Sequence, residues 1–285
     1  MTTERSGKAD NRGSVLPTPR LRGWVHTVMA PLILLAGVGL MIATPAWGNR
    51  FAVGVWMLTG FELFGNSAVY HRVSWGAKTK DVLRRIDHAN VAVFIAGTYT
   101  PLAVALTAGA SRMALLSIIW ICALLGVAFR FVWNGVPRWA STVLYVVMGW
   151  TALWWLPQFW RTGGPAVVIL ILIGGVFYSV GAIAYARQKP NPSLTWFGFH
   201  EVFHSCTAVA AMCHAVAIGL AVICPAGELW ASGRTTRFGV TRLVLHLMSE
   251  GPLSTPRRRF LPQCDLSHVT GGFRVRPSSR LRASP

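Results

Sequence analysis

Seven apolar stretches, each about as long as a membrane-crossing helix, are the feature that most constrains the fold of this chain. They cover roughly residues 24–43, 51–72, 88–107, 113–133, 139–156, 166–186 and 199–224. A helix rises ~1.5 Å per residue, so about 20 residues cross the ~30 Å hydrocarbon layer of a bilayer. We therefore predict an all-α integral membrane protein, a bundle of seven transmembrane helices in the cell membrane. The fifth stretch is the shortest.

The composition agrees with a membrane class. Of the 285 residues, 53% are hydrophobic and 13% are charged, whereas a soluble domain carries about 25% charged residues. Lys and Arg outnumber Asp and Glu by 27 to 9. Such an excess is typical of contact with anionic lipid or nucleic acid. Because the basic residues flank the apolar stretches, we predict membrane lipid as solvent and substrate and expect no nucleic-acid partner. The oligomeric state stays unknown at this point.

The chain divides into three regions. Residues 1–23 are polar and are expected to form a flexible cytoplasmic arm, and residues 24–224 hold the seven predicted helices. Residues 225–285 are rich in Arg, Pro, Ser and Gly, which favours a largely disordered tail. The alternative is that this tail lies on a membrane surface as a basic amphipathic segment.

The distribution of basic residues predicts the orientation. With seven crossings, the N-terminal arm and the even-numbered connections lie on one side and carry fourteen Lys and Arg, against three in the opposite short connections. The positive-inside rule then places the N-terminus in the cytoplasm and the C-terminus outside. The ten arginines of the tail lie on the outer side in this topology, but long tails translocate largely regardless of charge.

Two histidines stand four residues apart at the start of the last apolar stretch, in His200-Glu201-Val202-Phe203-His204. Residues i and i+4 share a face of a helix, so both rings can reach one metal ion. His71 closes the second stretch at the same depth in the predicted topology, which makes it the best candidate for a third ligand. Three imidazoles with an open fourth position are the pattern of a catalytic Zn2+ site. Spacing alone leaves three hydrogen-bonded core histidines as an equal alternative.

Two further polar residues are expected at this depth. Asp87 opens the third apolar stretch, and Ser67 lies one helical turn before His71. Polar side chains within a membrane are costly unless they are paired or metal-bound, so both are candidate catalytic residues. Asp87 would act as general base on a metal-bound water or orient a ligand imidazole. Ser67 would hydrogen-bond the water or a substrate carbonyl.

The literal match to H-E-x-x-H raises a rival, a membrane-embedded zinc peptidase with Glu201 as its base. Such an enzyme usually takes a third ligand from downstream. Glu228, the first acid after His204, lies 24 residues further on, or about 36 Å along a helix. We therefore favour His71 as the third ligand and expect Glu201 to adjoin the site or contact a lipid headgroup.

The remaining polar residues of the apolar stretches have simpler interpretations. A single histidine in a membrane helix is more often a hydrogen-bonded core residue than a ligand, so His26, His88 and His214 are expected to be structural. Glu62 lies midway along its stretch and is expected to line the same cavity or to bond Ser and Thr neighbours. The five cysteines include no CxxC pair, so neither a disulfide framework nor a thiolate zinc site is predicted.

Taken together, these motifs resemble the hemolysin III family, the bacterial branch of the progestin and adipoQ receptor superfamily. The resemblance covers about residues 20–224 and is carried by Trp24-x-His26, Ser67-x-x-x-His71, Arg84-Arg85-Ile86-Asp87-His88, Ile95-Ala96-Gly97-Thr98-Tyr99-Thr100-Pro101, and His200-Glu201-Val202-Phe203-His204 with His214 following. The chain departs from the family pattern in its long arginine-rich tail and in Glu62, where an apolar residue is expected.

The resemblance implies a seven-helix bundle with zinc near the cytoplasmic leaflet. The ligands would be His71, His200 and His204, with Asp87 and Ser67 close to the zinc-bound water. Adiponectin receptors of this superfamily are linked to hydrolysis of ceramide-like amides, and the bacterial branch takes its name from hemolytic, pore-type activity.

Three functional hypotheses follow. The first is a zinc-dependent hydrolase of a lipid amide or ester. The alternatives are a membrane-perturbing, hemolytic protein with a structural zinc, and a receptor-like sensor whose zinc site shapes a ligand cavity. The sequence does not separate them, because a lipid substrate would be selected by apolar walls that carry no motif.

Overall fold

The computed structural model describes residues 8–9, 15–16, 19–132 and 138–223. In this part of the chain seven α-helices follow one another: α1 (Trp24–Ala43), α2 (Trp47–Arg72), α3 (Ala77–Leu106), α4 (Gly109–Val132), α5 (Arg138–Trp150), α6 (Leu156–Arg187) and α7 (Phe199–Ile223). A 3₁₀ helix, Thr151–Trp155, joins α5 to α6. Two strands of two residues each, β1 (Lys8–Ala9) and β2 (Val15–Leu16), pair antiparallel. The predicted tail, residues 225–285, lies outside the described residues, as does most of the predicted arm.

Five described segments are long and apolar enough to cross a membrane. These are Trp24–Ala43, Ala77–Leu106, Gly109–Val132, Trp139–Arg187 and Phe199–Ile223. The predicted all-α membrane class is confirmed at this level. The fourth segment runs through α5, the 3₁₀ helix and α6, and α2, with Glu62 and Asn66 in its second half, is not among the five. The predicted number of crossings, seven, is therefore larger than the number of described segments that qualify by length and composition, which is five.

The outer surface of the helices is apolar. On α1 the side chains of Leu35 and Ile42 are 69% and 77% exposed, and on α4 Leu125 is 63% exposed. Large exposed apolar faces of this kind are unfavourable in water and favourable in a bilayer. Lipid is therefore the surrounding medium of the helices.

Helix α3 lies at the centre of the bundle. Of its apolar window 72% is buried, against 44% or less for the other four candidate spans. It packs along α2 and α4 and also contacts α5, α6 and α7. The residues of this window therefore face protein more than lipid, and Asp87 on the same helix has a side chain that is 13% exposed.

The fifth predicted stretch, 139–156, is built from two kinds of helix. Helix α5 has 13 residues and the 3₁₀ helix has 5, which correspond to lengths of about 20 Å and about 10 Å. Their sum is the ~30 Å thickness of a hydrocarbon layer. The buried hydroxyl of Tyr99 stabilises the change from α5 to the 3₁₀ helix. It donates to the carbonyl of Gly149 at 2.7 Å and accepts from the backbone N–H of Ala152 at 2.7 Å.

Helix α6 contains a break close to where the sixth apolar stretch begins. Gly164 has a φ of 79° and is followed by Pro165. Glycine tolerates this left-handed backbone, and proline supplies no N–H, so the helical hydrogen bonding is interrupted here. The part of α6 after the break corresponds to the predicted stretch 166–186.

Helices α2 and α3 approach each other closely at Gly97. A Cβ added at this position would lie 2.9 Å from the Cβ of Thr59. The Thr59 hydroxyl donates to the carbonyls of Val55 and Trp56 at 2.9 Å and 3.1 Å, which holds the side chain in place. Glycine is therefore required at this crossing.

We predict that Gly97→Ala lowers the midpoint of thermal unfolding in detergent micelles, followed by tryptophan fluorescence. Overpacking costs about 1–3 kcal/mol, which outweighs the ~1 kcal/mol that alanine gains in helix propensity. Gly65→Ala on α2 is the matched control, because its added Cβ would meet no heavy atom within 4 Å. Equal shifts in the two variants would contradict the close approach.

A candidate metal centre

Three histidines converge where α2 ends and α7 begins. His71 lies in the last turn of α2, and His200 and His204 lie in the first two turns of α7. One ring nitrogen from each histidine lies within 4.8 Å of the other two. The Nε2 atoms of His71 and His200 are 3.1 Å apart. The structure thus brings together the three residues that the sequence predicts as ligands, here called the triad.

The triad fits a metal ion. Its rings are mutually inclined, by 72° between His71 and His200, 61° between His71 and His204, and 52° between His200 and His204, so their edges can converge on one point. Nitrogen ligands of a tetrahedral zinc stand roughly 3.3–3.4 Å apart, given Zn–N bonds of about 2.0–2.1 Å. The separation of 3.1 Å between the Nε2 atoms of His71 and His200 is close to this value, and imidazole is a donor that several divalent transition metals accept.

Asp87 and Ser67 lie beside the triad. Ser67 is buried on α2 one turn before His71, and Asp87 lies on α3 with its side chain 13% exposed. Both residues line the same cavity as His200 and His204. The arrangement brings a carboxylate and a hydroxyl to a cavity that the histidines also face, as their sequence positions predict.

His88 and His214 are hydrogen-bonded within the bundle, as expected for structural histidines. The ring of His88 bonds the Tyr185 hydroxyl at 3.1 Å and the Arg84 carbonyl at 2.7 Å. His214 bonds the carbonyl of Ile171 at 3.2 Å. Both fix neighbouring helices at the cavity wall.

His26 differs from this expectation. Its ring stacks on His204 with centroids 3.7 Å apart and an interplanar angle of 5°, and the edge of Phe64 packs against it at 4.9 Å. The residue is 3% exposed, and neither ring nitrogen has a hydrogen-bond partner among the described residues. A buried polar group without a partner costs about 1–3 kcal/mol, and this His26 ring lines the cavity. The sequence signals for it were a histidine inside an apolar stretch and the Trp24-x-His26 motif of the family resemblance, and neither indicated the contact with His204.

Glu201 adjoins the triad, which is one of the two expected positions, whereas Glu62 does not lie where it was expected. Glu201 is 1% exposed, and its carboxylate accepts from Arg22 Nε at 3.0 Å and from the Gly198 N–H at 2.9 Å. Both oxygens are thus engaged, so neither a lipid headgroup contact nor the role of peptidase base suits it. Glu62 is exposed on the outside of α2, where it accepts from Asn90 Nδ2 at 3.4 Å. The expectation that Glu62 lines the cavity is wrong.

The cavity runs inward from the triad along α3. On this helix it extends from Asp87 to Leu102, a distance of about 22 Å at ~1.5 Å per residue. Tyr99 and, from α6, Phe159 line its far end. Most of the wall is apolar, and the ionisable side chains of Asp87, His200 and His204 lie at one end of it, while Tyr99 and His214 add polar groups further in.

An all-helical membrane protein with a partly buried three-histidine cluster at one end of a mostly apolar cavity is the class that this fold and site define. The triad can hold a metal ion, and its ligands come from the end of α2 and the start of α7.

The comparisons with known proteins agree with this class. A family model described as Haemolysin-III related matches residues 15–215, and the chain belongs to this family of multi-pass membrane proteins. It is 34% identical to a Hemolysin-3 homolog of Bacillus subtilis (strain 168) over 177 residues, which are 57% of this chain and 83% of that protein. It is 31% identical to Hemolysin-3 of Bacillus cereus over 167 residues, 58% of this chain and 76% of the relative. The matched residues include the triad.

The stacking of His26 on His204 predicts that the two substitutions His26→Phe and His26→Ala differ in their effect on metal affinity. Phenylalanine keeps a flat ring against His204 and is expected to leave the affinity within about threefold, whereas alanine leaves a cavity and is expected to weaken it by about tenfold, as loss of a ligand's supporting contact does. Competition with a chromophoric chelator measures both affinities. An alanine variant that binds metal as tightly as the unaltered protein would contradict the prediction.

Proposed function

We propose that this protein is a membrane-embedded, zinc-dependent hydrolase that cleaves an amide or ester of a membrane lipid. The observation that carries the proposal is that Asp87, Ser67, His200 and His204 line one cavity, while His71 completes the triad beside it. In this role His71, His200 and His204 hold the ion, and Asp87 and Ser67 are the catalytic residues.

When bound, zinc supplies Lewis acidity and activates water at neutral pH. Asp87 accepts the proton of the attacking water and returns it to the leaving amine or alcohol, which is general acid–base catalysis. In this role Ser67, which lines the same cavity, orients the Asp87 carboxylate. His26, whose nitrogens have no partner in the described protein, is available to hydrogen-bond a substrate oxygen.

The shape of the cavity supports a lipid substrate. Asp87, His200 and His204 lie at one end, and a mostly apolar wall continues from Asp87 for about 22 Å along α3. An acyl chain fits such a wall, and burying it removes apolar surface from water. A substrate with one polar linkage at the end of a hydrocarbon chain therefore places that linkage beside Asp87.

We also propose seven crossings with the triad near the cytoplasmic surface. Helix α2 has 26 residues, or about 39 Å, which is long enough to span a bilayer despite Glu62. The excess of Lys and Arg in the N-terminal arm and the even-numbered connections supports a cytoplasmic N-terminus and an outer C-terminus.

A second function is favoured by the names of the relatives, Hemolysin-3 and its homolog. In this alternative the protein perturbs membranes, and the metal is structural because it ties the end of α2 to the start of α7. The two functions differ in what Asp87 does, which makes this residue the place to separate them.

We expect the purified protein to contain about one zinc per chain. His71→Ala and His204→Ala should each lose the metal, because two imidazoles leave the ion with too few protein ligands. His214→Ala is the control, since His214 bonds the Ile171 carbonyl instead of the triad, and it should retain zinc. Elemental analysis of detergent-solubilised protein measures the content. Zinc retained after both triad changes would refute the site.

Asp87→Asn separates the two functions. For the hydrolase, the variant should keep zinc but release fatty acid from lipid extracts about 10²- to 10⁴-fold more slowly, because the general base is gone. Mass spectrometry of the released acids measures the rate. For the membrane-perturbing protein, dye leakage from liposomes should persist unchanged in the same variant. Leakage without any hydrolysis by the unaltered protein would favour the second function.

A further inference from the structure

We propose that residues 19–23, called the strap below, position the triad by clamping the start of α7 against the end of α2. The Arg22–Glu201 ion pair joins the strap to α7. Both residues position the site and are not catalytic. The part of this inference that concerns the metal rests on the proposed zinc site.

The strap is bound along its length to the loop that precedes α7. The backbone N–H of Arg20 donates to the Thr195 carbonyl at 2.9 Å, and that of Leu21 donates to the Trp196 carbonyl at 3.3 Å. The Arg20 guanidinium lies over the Trp196 ring, 4.8 Å from its centroid. These contacts hold the chain before α1 against the chain before α7.

The ion pair fastens the strap to α7 itself. Glu201 follows His200 directly, is 1% exposed, and accepts from Arg22 Nε at 3.0 Å, while Arg22 is 26% exposed. The second Glu201 oxygen accepts from the Gly198 N–H at 2.9 Å and so satisfies one of the free donors at the start of the helix. A buried carboxylate is strongly unfavourable without a partner. Arg22 is the cation that keeps Glu201, and with it the first turn of α7, in place.

The other side of the strap contacts the last turn of α2. Gly23 has a φ of 82°, and a Cβ added there would lie 3.0 Å from the Cβ of His71. One residue further on, the Arg72 guanidinium lies over the Trp24 ring, 3.7 Å from the ring centroid. Both ligand-bearing helix ends therefore touch this one segment.

The clamp is needed because α2 and α7 do not pack along each other. The extensively packed pairs among the described helices include α1–α2, α2–α3 and α6–α7, but not α2–α7. Helix ends open more readily than helix centres, and a metal site needs ligands held within about 0.5 Å of the productive geometry. His71 and His200 meet at two such ends, and the strap bridges them.

The test compares Arg22→Met, Glu201→Gln and Arg22→Lys in the full chain in lipid nanodiscs. Arg84→Met and Asp81→Asn are the matched controls, because Arg84 and Asp81 form an exposed ion pair of 3.1 Å in the first turns of α3. Three readouts are taken: zinc affinity by chelator competition, the absorption spectrum of the Co2+-loaded protein, and hydrogen–deuterium exchange of residues 199–204 without metal.

We expect Arg22→Met to bind zinc 10- to 100-fold more weakly, the usual effect of losing a contact that supports a metal ligand. Its Co2+ bands should lose intensity as the tetrahedral geometry relaxes, and residues 199–204 should exchange faster. Glu201→Gln should have a smaller effect, because it leaves no buried charge unpaired. Arg22→Lys should recover most of the affinity, and the two controls should match the unaltered protein.

The inference is overturned if Arg22→Met and Glu201→Gln match the unaltered protein in zinc affinity and in exchange. An unaltered protein that binds no zinc would instead refute the proposed metal site. In that case hydrogen–deuterium exchange of residues 199–204 still tests whether the strap holds the start of α7. Faster exchange in Arg22→Met supports the clamp, and unchanged exchange overturns it.

Discussion

The meeting of two helix ends is the constraint on which the site depends. His71 comes from the end of α2, and His200 and His204 come from the start of α7, yet these helices do not pack along each other. Their common neighbours α1 and α3, together with the chain before α1, hold them in register. The proposed chemistry is thus supported by residues that never touch a substrate, as in metal centres where the partners of the ligands set ligand orientation.

The central position of α3 explains how polar chemistry is maintained in an apolar protein. Because α3 faces protein along most of its length, it can carry Asp87 at one end and Tyr99 further along without exposing either to lipid. Tyr99 is paired with the backbone around the 3₁₀ helix, and the Asp87 carboxylate lies 3.9 Å from the His88 ring. Pairing removes most of the cost of burying these groups.

Sequence reasoning predicted the triad because it depends on two local properties, the i, i+4 spacing in α7 and the position of His71 at a helix end. It predicted the helices because apolar stretch lengths carry that signal. It missed the stacking of His26 and the outward direction of Glu62. Both depend on how far α1 and α2 are rotated about their own axes, and neither helix has a single polar face that would fix this rotation from its pattern. The Arg22–Glu201 pair, 179 residues apart, had no local signal at all.

The separation of α2 from α7 has a thermodynamic consequence. An ion held by two elements that share little surface acts as a reversible cross-link, and its contribution to stability follows mass action on the free ion. Each tenfold rise in free zinc above the dissociation constant then adds about 1.4 kcal/mol to the folded state. The cohesion of this end of the protein would be coupled to the availability of metal in the surrounding compartment.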